Sequence, residues 1–220
     1  MSTTSYILFT GGRESLINLH LETLRLHRSK KTSGASITLV LFDYGQKSFP
    51  AELRAARYYQ QRYKFVGRIM ERRIQMEIPD GIRTGQGESD HVVARNLLFI
   101  SHLVNHIGSV EKARILIGTV QWRKKAYHDG LKGFRTDLHN LLHKLYPNIT
   151  LTSHTDQFYG VETYEYLVAH NIDCYRMWIC MDNGERPCGK CKKCRVLEKE
   201  IFSLTENKMA QQFKKIYYGN

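Results

Sequence analysis

Short hydrophobic runs alternate along this chain with longer segments in which hydrophobic residues recur at helical spacing. The short runs are typical of buried strands and occupy residues 6–9, 37–42, 66–76, 115–117 and 149–152, with arginines interrupting the third. Helical spacing is found at residues 14–26, 49–63, 92–106, 134–145 and 162–169. This alternation predicts an α/β fold with a mostly parallel, doubly wound sheet.

A glycine turn of sequence TGGRES, residues 10–15, ends the first strand and opens the first helix. A helix entered through glycines presents unpaired backbone N–H groups and the positive end of its dipole, and the missing side chains let a phosphate come close. The turn therefore predicts a nucleotide phosphate site. Glycine turns also connect strands to helices in domains that bind nothing, so the motif alone leaves both interpretations open.

The second strand ends in DYGQ, residues 43–46, and this motif falls at the same edge of the sheet as the glycine turn. Two parallel strands joined by one helix form a right-handed unit, and ligands bind at the carboxyl ends of such strands.

Two polar segments, residues 79–90 and 119–132, are predicted as loops, and long loops are often functional, although a merely mobile loop fits the first equally well.

The length of 220 residues, with 42% hydrophobic content, fits one domain with a small appendage. We predict an ATP-binding α/β domain at residues 1–172 and an appendage at residues 173–220, made of a cysteine-rich knuckle and a charged helix over residues 196–217. No hydrophobic run approaches the ~18 residues of a membrane span, and the first residues do not have the pattern of a secretion signal. We expect a soluble, cytoplasmic protein.

A formal net charge of +12 makes polyanions plausible partners, including nucleotides and nucleic acid. The basic residues are spread over several runs, and each run is also typical of a solvated face. Nucleic-acid binding is therefore possible on charge alone but is not the favoured interpretation.

Four cysteines follow one another with the spacing C-x7-C-x2-C-x2-C, at Cys180, Cys188, Cys191 and Cys194. Four thiolates this close can surround one tetrahedral Zn²⁺, and because sulfur fills every position the metal would be structural. Disulfides are the alternative, but they are typical of secreted domains. Cys174 falls outside the spacing and is predicted as a buried thiol. The basic residues between the cysteines fit either a phosphate-binding surface or partial neutralisation of the negative tetrathiolate.

In their order along the chain these motifs resemble the 7-cyano-7-deazaguanine synthase (QueC) family of PP-loop ATP pyrophosphatases. TGGRES is similar to that family's Ser-Gly-Gly-x-Asp-Ser loop, and DYGQ stands in its FDYGQ motif. The other matching positions are Arg95-Asn96, Gly118 followed by Tyr127 and Asp129, and the four cysteines. The resemblance runs from about Tyr6 to Arg195.

The resemblance implies a PP-loop, HUP-like fold, a homodimer, and ATP, Mg²⁺ and structural Zn²⁺ as cofactors. Its implied nucleotide site comprises Thr10, Gly11, Gly12, Ser15, Asp43, Tyr44 and Gln46, with Glu14 placing magnesium or pyrophosphate. Its implied substrate site comprises Arg95, Asn96, Tyr127 and Asp129, and the implied catalytic residues are Glu14, Ser15, Arg95 and Asp129.

The activity implied by the resemblance is ATP-dependent adenylation of the carboxylate of 7-carboxy-7-deazaguanine. An amine then attacks to give an amide, and a second activation gives the nitrile. A carboxylate is a poor electrophile, and transfer to the α-phosphate creates a good leaving group while backbone N–H groups and Mg²⁺ stabilise the pyrophosphate. No protein nucleophile is required, which agrees with a sequence that carries no nucleophile motif.

Three departures from the family leave alternatives open. Glu14 stands where the family has aspartate, residues 156–162 carry no lysine where the family usually has one, and Val93-Ala94 replaces a proline and a glycine. Lys124 or Lys125 could supply the missing cation. One alternative is a paralogue, of the kind found in antiphage defence operons, that joins the activated deazaguanine to an amine on a protein. The other is a non-catalytic module whose basic face and knuckle bind nucleic acid or a partner protein.

Overall fold

The computed structural model describes residues 3–29, 36–86, 91–108, 112–121 and 132–202, and its centre is a five-stranded sheet in which every pair of neighbours is parallel. The strands are β1 (Thr4–Leu8), β2 (Ser36–Asp43), β3 (Val66–Arg73), β4 (Ala113–Leu116) and β5 (Ile149–Thr152). Their order across the sheet is β3-β2-β1-β4-β5. The predicted doubly wound parallel sheet is confirmed.

Seven helices connect or follow the strands within the described residues. They are α1 (Arg13–Arg28), α2 (Phe49–Arg62), α3 (Asp80–Thr84), α4 (Arg95–Ile107), α5 (Lys132–Leu145), α6 (Gly160–Ala169) and α7 (Lys192–Phe202). The last of these overlaps the helix predicted at residues 196–217, whose residues beyond 202 lie outside the described part of the chain.

Helix α3 corrects the expectation of a continuous polar loop at residues 79–90. Asp80 in its first turn suits the positive end of the helix, and Gly85 ends it with a left-handed φ of 73°. Ile82 is buried in the core and fixes this short helix against the domain. A single buried residue creates no helical periodicity, so the sequence pattern did not reveal it. Residues 87–90 lie outside the description.

The strand order reverses between β1 and β4. The chain moves from β1 through β2 to β3 at one edge of the sheet, then returns to place β4 and β5 on the other side of β1. In open parallel sheets ligands bind in the crevice at the carboxyl ends of the two strands that flank such a reversal. The glycine turn directly follows β1 and therefore lies at this crevice.

Two hydrophobic clusters cover the two faces of the sheet. One contains residues of α1, α2, α6 and α7 and is represented by Leu16, Tyr59 and Leu167, whereas the other is built on α4 and α5. Cys180 and Cys191 belong to the first cluster and are almost fully buried. The described part of the cysteine-rich segment thus shares the core of the α/β sheet. The predicted domain boundary near residue 172 stays a prediction.

Buried polar side chains fix α1 to the sheet. The side-chain amide of Asn18 donates to the carbonyl oxygen of Ile117 over 3.0 Å, and its oxygen accepts from the backbone N–H of His154 over 2.8 Å. These two bonds join α1 to the segments that leave β4 and β5. The N-terminal half of α1 is therefore held against the carboxyl edge of the sheet.

One turn further along α1, the carboxylate of Glu22 is fully buried and forms a network of polar contacts. Its partners are Ser5, Arg25, Arg114 and His154, at distances of 2.6 to 3.3 Å. Burial opposes ionisation, but the hydrogen bonds from His154, Arg25 and Ser5 outweigh it and hold the pKa of Glu22 well below its usual range.

No helix among the described residues has the length and hydrophobicity needed to cross a bilayer.

Candidate active site and cysteine cluster

The glycine turn is held in place by its backbone. Gly11 adopts a left-handed φ of 73°, and a side-chain carbon at this position would lie 2.9 Å from the Cβ of Ala55 on α2. Its carbonyl oxygen accepts the backbone N–H of Trp178 over 2.8 Å. Only glycine fits both the conformation and the space, so the turn is packed against α2 and against the segment that leads to the cysteines.

Gly12 is the N-cap of α1 and has an ordinary φ of −74°. A Cβ built here would lie 3.4 Å from the hydroxyl of Thr10 and would meet nothing closer. No side chain caps the helix start, and the Ser15 hydroxyl donates back to the carbonyl oxygen of Gly12 over 2.9 Å. The first N–H groups of this helix of 16 residues are thus uncapped by side chains at the strand reversal, which suits a phosphate.

Glu14 lies between the glycine turn and the segment after β4. A Cβ at Gly118 would come within 2.8 Å of the Cβ of Glu14, so the absence of a side chain at 118 lets the two segments meet. The Glu14 carboxylate accepts the Nε–H of Arg13 at 2.7 Å, and its side chain is 26% exposed. The structure therefore brings the predicted residues Glu14 and Gly118 together at the crevice.

The DYGQ motif forms a tight turn at the end of β2. Gln46 is buried, and its amide donates to the carbonyl oxygen of Phe42 at 2.8 Å and to Glu52 at 3.3 Å while it accepts the N–H of Tyr44 at 2.9 Å. Asp43 accepts the N–H of Gly45 over 3.1 Å. Gln46 thus shapes the turn from inside, and the partly buried Asp43 and Tyr44 form its outer part.

The Arg95-Asn96 pair opens α4 beside this turn. The guanidinium of Arg95 lies 3.5 Å from the hydroxyl of Tyr44. Burial raises the pKa of Tyr44, although the positive charge of Arg95 acts in the opposite direction. The residue before the helix, Ala94, has a left-handed φ of 54°, a conformation that favours glycine. The DYGQ turn, which the resemblance assigns to the nucleotide, is therefore adjacent to Arg95-Asn96, which it assigns to the substrate, whereas Tyr127 and Asp129 lie outside the described residues.

An arginine and an aspartate form an ion pair beside β5 that the sequence did not indicate. Arg135, in the first turn of α5, pairs with Asp156 over 2.7 Å, and Asp156 also accepts the hydroxyl of Thr119. The buried Nε of Arg135 has no hydrogen-bond partner among the described residues. Asp156 belongs to the segment in which the expected lysine is missing, so a cation reaches that segment from another helix. Lys124 and Lys125 lie outside the description.

The four predicted cysteines come together in one cluster. Their sulfur atoms all lie within 4.8 Å of one another, and those of Cys180 and Cys191 are 3.9 Å apart. Four thiolates around one Zn²⁺ at ~2.3 Å would be separated by about 3.8 Å, so the spacing fits one tetrahedral ion. A four-iron cluster carries each thiolate on a different iron and needs a wider arrangement. Backbone N–H groups of residues such as Asp182 and Cys188 donate to the Cys180 sulfur, each over 3.3 Å, as a negative tetrathiolate requires.

Cys174 lies apart from this cluster. It is 1% exposed, and its thiol donates to the carbonyl oxygen of Ile172 over 3.2 Å. Burial raises the pKa of the Cys174 thiol to about 12, so it remains protonated. The prediction of a buried thiol outside the metal-binding spacing is confirmed.

The sequence model of one family, described as Queuosine biosynthesis protein QueC, matches residues 5–204. The chain belongs to the QueC family. This match spans both the glycine turn and the cysteine cluster, so the resemblance derived from the motifs is confirmed. Membership makes the protein a QueC-family enzyme.

Curated relatives of this QueC-family chain carry the name 7-cyano-7-deazaguanine synthase. The protein from Prochlorococcus marinus (strain MIT 9215) is 24% identical over 184 residues, which cover 76% of this chain and 82% of the relative. The protein from Synechococcus sp. (strain RCC307) is 24% identical and is matched over 93% of its length, with 89% of this chain covered. A solved structure, the U34-tRNA thiolase NcsA from Methanococcus maripaludis with its [4Fe-4S] cluster, matches 98% of this chain and 72% of its own at a TM-score of 0.46 and 13% identity.

Proposed function

We propose that the protein is an ATP-dependent carbon–nitrogen ligase that activates the carboxylate of 7-carboxy-7-deazaguanine and converts it to 7-cyano-7-deazaguanine. The observation that carries the proposal is the uncapped, glycine-led start of α1 at the reversal of strand order, in a QueC-family chain whose relatives bear that name. Such a helix start stabilises the pyrophosphate that leaves when the carboxylate is adenylated.

The nucleotide lies along the carboxyl ends of β1 and β2. The N–H groups of the glycine turn, with the hydroxyls of Thr10 and Ser15, would hold the phosphates, and Glu14 would hold the magnesium that accompanies them. The outer part of the DYGQ turn, at the partly buried Asp43 and Tyr44, borders the nucleotide, and Gln46 acts by holding that turn. Bound Mg²⁺ would supply charge neutralisation at the α-phosphate and the leaving pyrophosphate.

The substrate lies between α4 and the segment after β4. Arg95 provides a positive charge for the substrate carboxylate, and Asn96, Tyr127 and Asp129 complete the substrate site. A carboxylate oxygen attacks the α-phosphorus while the bond to pyrophosphate breaks. The amine then attacks the acyl carbon, AMP leaves and a proton is released. Adenylation of the amide oxygen by a second ATP, followed by loss of AMP and of both N–H protons, gives the nitrile.

The four cysteines hold one structural Zn²⁺. Sulfur occupies all four positions, so no position remains for a catalytic water, and the ion stabilises the fold instead. The flanking lysines partly offset the charge of the tetrathiolate. Reduced cysteines of this kind are typical of a reducing compartment, which supports a cytoplasmic location. A homodimer is the expected assembly, and sedimentation checks it.

A second candidate, transfer of the activated deazaguanine to an amine on a protein, is favoured by the altered phosphate loop and substrate edge. Glu14 replaces the family's aspartate, and the Arg135–Asp156 pair stands in the segment where a lysine is usual. Both changes alter the surroundings of the acyl-adenylate. The chemistry before the amine attacks is the same in both candidates.

One experiment separates the candidates. The zinc-loaded protein is incubated with Mg-ATP, 7-carboxy-7-deazaguanine and ammonium, and the nucleobase, AMP and pyrophosphate are followed by mass spectrometry and a coupled assay. Nitrile with two AMP per product supports the synthase. Adenylation without nitrile, with a mass increase on a protein encoded nearby, supports conjugation. No binding of ATP or substrate by calorimetry contradicts both, and affinity for nucleic acid with a steep salt dependence would instead support a binding module.

A further inference from the structure

Arg13 is a buried cation at the position between the glycines and Glu14, which the sequence motif leaves unspecified. It is 7% exposed, and its Nη1 donates to Glu200 over 2.6 Å while its Nε donates to Glu14 over 2.7 Å. Its guanidinium carbon lies 4.5 Å from the centre of the Tyr164 ring. Burial lowers the pKa of Arg13, but the nearby Glu14, Tyr164 and Glu200 outweigh that effect and raise it above its usual value. Arg13 therefore stays charged inside the protein.

The shape of arginine matters for these contacts. A guanidinium offers donors in several fixed directions, so one side chain can hold two carboxylates and also lie on an aromatic ring. A lysine in this place has a single charged atom and cannot reproduce the arrangement. Arg13 thus connects the phosphate loop to α6, which carries Tyr164, and to α7, which carries Glu200.

Glu14 presents its two oxygens to different neighbours. Oε1 accepts from Arg13, whereas Oε2 lies on the side of Gly12, 3.8 Å from where a Cβ of residue 12 would be. The stem of Glu14 is packed against Gly118. The extra methylene of glutamate adds a rotatable bond, and the Arg13 contact removes that freedom while it leaves the second oxygen directed at the space for a phosphate or its magnesium.

Glu200 is held in turn by the part of the chain that contains the cysteines. It lies on α7, whose first turn includes the buried Cys194, and its carboxylate also interacts with the hydroxyl of Tyr164. A continuous series of contacts therefore runs from the cysteine cluster through α7 and Glu200 to Arg13 and Glu14.

We propose that Arg13 is a positioning residue that fixes the Glu14 carboxylate in the phosphate loop, and that Glu200 fixes Arg13 from the helix beside the cysteine cluster. This inference rests on the proposed function, because the position of Glu14 matters for the reaction only if the glycine turn binds the phosphates of ATP. Arg13 and Glu200 would act through Glu14 and touch no substrate. The proposal also accounts for the longer carboxylate, since glutamate reaches Arg13.

Glu200→Gln tests the proposal, and Glu198→Gln is its matched control, because Glu198 is an exposed carboxylate on the same helix. In pyrophosphate release, we expect Glu200→Gln to lower kcat about tenfold and to raise the Mg²⁺ concentration for half-maximal rate several-fold, with KM for the deazaguanine unchanged. Arg13→Lys should show the same pattern. Zinc content should equal that of wild type. Equal kcat and Mg²⁺ dependence in Glu200→Gln and Glu198→Gln would overturn the proposal.

A second measurement does not depend on turnover. Glu14 and Glu200 share one cation, so Glu14→Gln and Glu200→Gln should shift the midpoint of thermal unfolding non-additively when combined. Additive shifts overturn the positioning role whether or not the protein is active. If wild type shows no pyrophosphate release but the two shifts are non-additive, the proposed function fails and the contact series through Arg13 stands.

Discussion

The backbone N–H of Trp178 donates to the carbonyl oxygen of Gly11 over 2.8 Å, and this bond joins the segment before the cysteines to the turn at the end of β1. The indole of Trp178 then donates to the carbonyl oxygen of Asp182, two residues beyond Cys180. The glycine turn is therefore held by the cysteine segment on one side and by α2 on the other. The two hydrogen bonds of Trp178 therefore connect the cysteine segment to the glycine turn.

We predict that Gly12→Asp abolishes pyrophosphate release without unfolding the protein. Residue 12 has an ordinary φ, and aspartate is a favourable residue at the N-cap of a helix. Its side chain would, however, bring a negative charge into the space for the phosphates. Pyrophosphate release should fall by about 100-fold or more, while the unfolding midpoint stays within a few degrees of wild type. Retained turnover would contradict the assignment of the phosphate loop.

Gly11→Ala is the counterpart of that variant. A side chain at residue 11 combines a left-handed φ with a carbon 2.9 Å from Ala55, so we expect a loss of stability of about 2 to 5 kcal/mol, measured by chemical denaturation. Equal stability of the two variants would show that the turn is not packed as described.

The contrast between these glycines shows what the sequence could and could not predict. The order of strand, glycine turn and helix is a local pattern, and the bounds predicted for β5 agree with those observed because its hydrophobic run is also local. The contact of Gly11 with Trp178 joins residues far apart in the chain, and Arg13 and Glu200 are separated by 187 positions. Hydrophobic periodicity reflects neighbours along the chain and gives no information on such distant pairs. The sequence therefore predicted the glycine turn but not the contacts that hold it.

We predict about one zinc ion per chain and a loss of both metal and stability in Cys191→Ser. Cys191 is buried in the core cluster shared with α1 and α2, so loss of the ion should loosen the Trp178 contact and weaken Mg-ATP binding as a secondary effect. Metal analysis and thermal unfolding test this. Cys174→Ala is the control, because Cys174 lies outside the cluster, and it should keep its zinc. Less than about half a zinc ion per wild-type chain would contradict the assignment.

We predict that Ala94→Gly stabilises the protein by about 1 kcal/mol, which for a chain of this size raises the unfolding midpoint by about 2 to 4 °C. The left-handed φ of 54° at the start of α4 strains Ala94 sterically, whereas glycine adopts that conformation without steric cost. Asn171→Gly is the matched control, because Asn171 has a similar φ of 50° but asparagine tolerates it. The gain at residue 171 should be smaller, and equal gains would contradict the explanation.

We predict a specific contribution of Glu22 to stability in acid. Its pKa is held below the ordinary value of 4.5, so the ionised carboxylate contributes stability above that pH and the contribution is lost as pH falls through the lower folded value. Glu22→Gln should be about 1 to 3 kcal/mol less stable at neutral pH, because it leaves the partly exposed Arg25 and Arg114 without a carboxylate partner. Chemical denaturation between pH 7 and about pH 2 should show that the difference in free energy of unfolding between wild type and Glu22→Gln becomes smaller as pH falls. A constant difference would contradict the shifted pKa.

Glu14→Asp should reduce activity rather than improve it, although it restores the residue that the QueC loop usually carries. Aspartate is shorter by one methylene, about 1 Å, and would lose the 2.7 Å contact with Arg13 that holds the carboxylate. A displacement of that size can lower a rate by about 100-fold. We expect kcat for pyrophosphate release to fall between 10-fold and 100-fold. Glu14→Gln keeps the length of the side chain but removes the charge that we propose for binding magnesium. Its kcat for pyrophosphate release should therefore fall further than that of Glu14→Asp. Higher activity of Glu14→Asp than of wild type would show that the loop does not depend on Arg13.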